Sequence, residues 1–301
     1  MPLIVITTAT IVGTLNRQHA AVKPVKPAVV GLVRPQHPGL IPFRLSETPP
    51  PPPTAAPQPG VAAARPAAPA PRPRGPVPVG IPGNWTLKFD DEFNGTSLDA
   101  SKWGIGSPYG SPTVPVNNYE LECYDPALVS VHDGSLHIVA IAKQETCGGS
   151  TKQYAGGMVN TRGLYQHTYG AVEARVYSPA ASAGVIANWP AFWEVGAVWP
   201  QDGENDVYEG LNARACWHFH SNAGAPGGCA NGAFTGWHVY GANWHPGRVD
   251  YYYDGRLVGS ITMGITSVPE WLMIDNAISP TIGGATMVPA DMQVDYVRVW
   301  Q

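Results

Sequence analysis

Two segments of this chain, LVSVHDGSLHIVAIA (128–142) and RVDYYYDGRLVGSIT (248–262), set the firmest limit on its fold. Each is rich in β-branched and aromatic residues and is interrupted by an Asp-Gly pair, at 133–134 and 254–255. Asp-Gly between such runs favours the tight turn whose twist matches two antiparallel strands, so each segment predicts a β-hairpin. Further strands are expected in WTLKFDDEF (85–93), YGAVEARVYS (169–178), ARACWHFHS (213–221) and MQVDYVRVW (292–300), while helical periodicity is almost absent. Many strands without intervening helices predict an all-β fold, an antiparallel two-sheet β-jelly-roll sandwich of the concanavalin A-like kind.

That expectation holds only for part of the chain. From Lys23 to Pro82 proline dominates, centred on TPPPPPTAAPQPGVAAARPAAPAPRPRGPVPVG. Such a segment lacks the aliphatic content for a core, so residues 1–83 are expected to be a Pro-rich tether and 84–301 the folded domain. Charge divides in the same way. Residues 1–83 carry eight Lys/Arg against one acid (+7), and residues 84–301 carry ten against 21 (−11), giving the net −4. An acidic folded domain argues against nucleic acid as its partner. The apolar start, MPLIVITTATIVGTL, has the length of a signal-peptide core without the usual basic start or cleavage site, and is too short to span a membrane.

Four cysteines, Cys123, Cys147, Cys216 and Cys229, all fall in the folded part. Their even number and loop-rich surroundings suit two local disulfides, Cys123–Cys147 and Cys216–Cys229, with the two other pairings left open by sequence. Disulfides imply an oxidising, extracellular setting, so the protein is expected to be secreted. A zinc site of Cys216, His218, His220 and Cys229 is the alternative, but it lacks the paired C-x-x-C spacing.

Against only 13% charged residues, WPQDGENDVYEG (199–210) places Glu204, Asp206 and Glu209 within six positions. Side chains alternate along a strand, so Glu204 and Asp206 share a face and Glu209 falls on the other. A one-residue bulge between Asp206 and Glu209 restores the parity and sets all three carboxylates on one face. Two carboxyl groups about 5–5.5 Å apart suit a retaining glycosidase, one as nucleophile and one as acid/base. Mutual repulsion among three acids keeps one of them protonated. The plainer readings are an acidic strand edge or a calcium loop. Trp189, Trp193 and Trp199 lie close by, as sugar platforms or as core. In NNYELECY (117–124), Asn118, Glu120 and Tyr124 have the spacing to bond hydroxyls, and WHFHSN places His218 and His220 on one strand face.

The ordered set LKFDDEFNGTSLDASKW, NNYELECY, VHDGSLHIVA, YGAVEARV, WPAFWEVG, WPQDGENDVYEG, GWHVYGANWHPGRVDYYYDG and DYVRVW covers nearly all of residues 84–301. It resembles glycoside hydrolase family 16, the laminarinase-like β-jelly-roll enzymes with a bulged acid motif. The resemblance implies a secreted, endo-acting retaining hydrolase of β-1,3- or mixed-linkage β-glucan. The same fold on a galactan or agar-type polymer, a transglycosylase and a non-catalytic carbohydrate-recognition module are the alternatives. It makes Glu204 the nucleophile, Asp206 its electrostatic helper and Glu209 the acid/base. Asn118, Trp193, Trp199, His218 and His220 are the expected substrate-binding residues. No cofactor is expected for catalysis, and a structural calcium is expected at Glu92, Gly134 and Asp295, partly through main-chain carbonyls. A monomer with a polysaccharide substrate is implied. Asn205, Glu122 and Asn243 depart from the family pattern, and Glu122 bears on substrate detail.

Overall fold

The structure is a computed structural model that describes residues 77–301. Most of the expected tether, and the apolar start with it, lies outside the described residues. Strands and a single 3-10 turn at Pro126–Leu128 make up the regular structure of the described residues. Both Asp-Gly pairs are hairpin turns. Asp133, Gly134, Asp254 and Gly255 all have positive φ (50°, 77°, 48° and 74°), the conformation that made Asp-Gly the expected turn.

Two large sheets result, antiparallel except where Glu122–Tyr124 runs parallel to Ser150–Gly156. The ten-stranded sheet runs in the order Arg256–Ile261, Arg248–Tyr253, Gly236–His245, Gly170–Ser178, Ala290–Trp300, Ser135–Cys147, Ser150–Gly156 and Glu122–Tyr124. Leu87–Asp91 adds to Ala290–Trp300, and Val129–His132 to Ser135–Cys147. The seven-stranded sheet runs Gly227–Cys229, Arg214–His220, Glu204–Leu211, Trp189–Val195, Trp271–Ala277, Met158–Asn160 and Gly104–Ile105. Val172, Ala174 and Val176 of the first sheet share a core with Phe192, Val207, Tyr208, Phe219, Leu272 and Ile274 of the second. A sandwich follows because each sheet has one apolar face to bury.

The packed chain begins ahead of Asn84, the expected boundary. Val79 N–H donates to Glu173 Oε2 at 2.7 Å, and Ile81 is buried with Ala171 and Trp300. Gly80, at φ +70°, lies so close to the turn at Gly255 that a Cβ would stand 2.1 Å from the Gly255 carbonyl oxygen. Proline-rich composition concealed this because the anchoring rests on a few residues, Pro78, Val79 and Ile81, rather than on a periodic apolar pattern.

Both disulfides have the expected pairing, Cys123–Cys147 and Cys216–Cys229. The second joins the edge strand Gly227–Cys229 to Arg214–His220, and it rules out the four-ligand zinc site by consuming both thiolates. No helix among the described residues is long and apolar enough to cross a membrane.

Candidate active site

The strand Glu204–Leu211 lies between Trp189–Val195 and Arg214–His220, and its register carries the predicted bulge. Asp206 pairs with His218 and Glu209 with Cys216, so three steps on one strand, Asp206 to Glu209, match two on the other, with the shift between them. On the other side Trp193 pairs with Asp206 and Ala191 with Glu209, with a matching shift. The extra residue lets Val207 and Tyr208 both enter the sandwich core while Glu204, Asp206 and Glu209 all face away from it. Rows across the sheet then read His220, Glu204, Val195, Trp271; His218, Asp206, Trp193, Met273; and Cys216, Glu209, Ala191, Asp275.

Each acid is held differently. Glu209 accepts from the Trp189 indole N–H at Oε1 (3.1 Å) and meets His218 Nδ1 at Oε2 (3.0 Å). His220 Nε2 lies 3.2 Å from Asp206 Oδ2 and 3.7 Å from Glu204 Oε1. Asp206 is the deepest of the three at 3% exposure, and its Oδ2 accepts no hydrogen bond. Burial, then the Asp206 charge, pushes the Glu204 carboxyl well above its ordinary range. Burial, then Glu209, does the same to Asp206. Three acids on one face cannot all be ionised without water, so a proton is retained among them.

The histidines expected to bind substrate are thus turned toward the acids. Of the expected aromatic residues, Trp199 is 58% exposed beside His220, with ring centroids 6.4 Å apart. Trp193 is only 7% exposed, packs with Tyr124, Met158, Trp271 and Met273, and donates its indole N–H to Asp275 Oδ1 at 2.7 Å. Asn118 is exposed on the loop before Glu122–Tyr124. Glu120 and Tyr124 are buried instead: Glu120 accepts from Val116 N–H (2.9 Å) and Asn117 Nδ2 (3.0 Å), holding its own loop. Glu122, the departure in that loop, accepts from Ile278 N–H at 2.9 Å, and burial raises its carboxyl. Asn205 points to the core side, where Nδ2 donates to Glu194 Oε2 and Oδ1 accepts from Tyr251, both at 2.8 Å. A polar residue at this position therefore belongs to a buried network behind the acid strand.

Two site residues escaped the sequence reading. In sequence Trp189 reads as an aromatic platform or a core residue, and its contact with Glu209 is a structural finding. Asp275 sits on Trp271–Ala277, a strand that gave no signal, with its carboxyl raised by burial and then by Glu120.

The residues expected to bind calcium lie in sequence beside the point where Ala290–Trp300 changes partner. Ser135–Cys147 pairs with it up to Val294 and Leu87–Asp91 from Val297 onward, with a shift at Val294/Tyr296. Gly134 precedes the first partner, Glu92 follows the second, and Asp295 lies at the shift. The Glu92 carboxylate takes a two-point bond from Arg298 (2.7 and 2.9 Å), and Asp295 Oδ2 accepts from Arg175 at 3.0 Å. Both side-chain carboxylates are thus engaged by arginines.

A family model described as an XgeA-like catalytic domain of glycoside hydrolase family 16 matches residues 139–230. The chain is 29% identical over 260 residues to "Glucan endo-1,3-beta-glucosidase A1" of Niallia circulans, covering 71% of this chain and 38% of that protein. It is also 29% identical to "Keratan-sulfate endo-1,4-beta-galactosidase" of Sphingobacterium multivorum, covering 72% and 56%. The match thus spans well under two thirds of either relative. Among solved structures, the endo-β-1,3-glucanase of Pyrococcus furiosus superposes with a TM-score of 0.62 at 26% identity, covering 72% of this chain and 94% of that one.

Proposed function

We propose that this chain is a member of glycoside hydrolase family 16 and acts as a secreted, endo-acting, retaining hydrolase of β-1,3- or mixed-linkage β-glucan, a reading supported by the matched family model and the glucanase relatives. The observation that carries the reading is the bulge that turns Glu204, Asp206 and Glu209 to one face. Glu204 is the nucleophile: its carboxylate attacks the anomeric carbon as Glu209 protonates the departing glycosidic oxygen. Glu209, now a base, then takes a proton from water, which hydrolyses the glycosyl-enzyme ester and regenerates Glu204. Asp206 retains a proton beside Glu204, which spares the nucleophile the repulsion of a charged neighbour. Trp189 and His218 fix the Glu209 carboxyl from both oxygens, which keeps it aimed at the leaving group. Trp199 offers a flat apolar face to a sugar ring at the edge of the site.

A galactan substrate is the second reading, supported by the likeness to the Sphingobacterium galactosidase. A non-catalytic sugar-binding module has no use for three acids gathered on one face by a bulge. We also propose a structural calcium at Glu92, Gly134 and Asp295, supported by their positions next to the ends of two strands that pair successively with Ala290–Trp300.

Reducing-sugar release from a panel of purified β-glucans and galactans tests the function. Rapid shortening of β-1,3-linked chains is expected, lost by about 10²–10⁴-fold in Glu204→Gln and Glu209→Gln. Turnover by both variants near that of the parent would refute the assignment.

A further inference from the structure

The acids and histidines of the site have the layout of a metal site as well. Glu204, Asp206 and His220 each offer one ligand atom, all within 4.8 Å of one another, and Asp206, Glu209 and His218 form a second such set sharing Asp206. His220 Nε2 stands 3.2 Å from Asp206 Oδ2 and 3.7 Å from Glu204 Oε1. Ligand atoms around a tetrahedral zinc ion, with bonds of about 2.0–2.1 Å, lie about 3.3 Å apart. Asp206 is almost wholly buried, yet its Oδ2 accepts no hydrogen bond. A buried lone pair in that condition is uncommon and suits a ligand position. One imidazole with two carboxylates suits zinc or copper(II) rather than calcium or magnesium, which prefer oxygen alone. Competition from elsewhere is small: all four cysteines are in disulfides, and no other such trio occurs among the described residues.

We propose that Glu204, Asp206 and His220 bind a divalent transition ion of the zinc type, and that this ion blocks the active site. Binding follows from the donor set alone. Blocking rests on the proposed function, because a Glu204 oxygen bound to the ion is no longer available to attack the anomeric carbon.

Calorimetric titration of the full chain with zinc chloride, in excess calcium to fill any outer site, measures the binding. One saturable zinc ion per chain is expected, weakened at least tenfold by His220→Asn and unaffected by substitution of the exposed His245→Asn. Thermal melting without zinc checks that the variant folds, and His220→Gln replaces it if it does not. Absence of saturable binding, or equal affinity in the His220 variants, overturns the site. Glucan hydrolysis should fall with zinc occupancy and return with a zinc-selective chelator; full activity at saturating zinc overturns the block. Zinc binding by a protein that cleaves no glycan would instead refute the proposed function and leave the metal site standing.

Discussion

Glu209 has a partner on each carboxylate oxygen, and the two partners are of different kinds. The Trp189 indole can only donate, at Oε1, whereas His218 can donate or accept at Oε2. A hydrogen bond to a charged group contributes about 1.5–3 kcal/mol, equivalent to roughly 10–100-fold in rate when it acts on the reacting group. Trp189→Phe keeps the ring and removes the donor. We expect kcat to fall by about that factor with KM little changed, measured on a soluble glucan. A rise in KM at constant kcat would assign Trp189 to substrate binding instead. Sequence indicated the three acids and their parity problem, since an E-x-D-x-x-E spacing is odd for a strand. It could not indicate Trp189 as a partner of Glu209, because their contact depends on cross-strand register.

At the scale of elements, alternating strands with Asp-Gly turns were legible, and the continuous apolar ones were not. Trp271–Ala277 is buried at all seven positions, Asp275 and Asn276 included, so no alternation of polar and apolar residues marks it as a strand. Asp275 was hidden with it. Composition likewise misled at Val79–Gly83, where a Pro/Gly-rich stretch packs through Ile81 and caps Glu173 with the Val79 N–H. Burying an isoleucine side chain contributes about 1.5–3 kcal/mol, and the hydrogen bond about 1 more. A chain starting at Asn84 should therefore melt about 5–10 °C below one starting at Val77, with equal activity on soluble substrate. Coincident melting curves would show that this segment adds nothing.

Across the whole molecule, burial of acids gives stability a definite dependence on pH. Glu120 and Glu173 are both pushed up to about 7, mainly by burial, from an ordinary value of 4.5. Between those values the folded protein binds more protons than the unfolded chain, so stability falls as pH rises from 4.5 to 7. The lowered aspartates, such as Asp250 and Asp254, act below 3.8 and leave that window alone. The melting temperature should therefore decline from pH 5 to pH 7, less steeply in Glu173→Gln; a rise over that range would contradict this. Retention by way of Glu204 is the central claim, and azide rescue tests it most directly. With an aryl β-glucan oligosaccharide and azide, Glu204→Ala should yield the α-glycosyl azide and Glu209→Ala the β-glycosyl azide, distinguished by proton NMR. The β-azide from Glu204→Ala, or no azide adduct from either variant, would contradict the account.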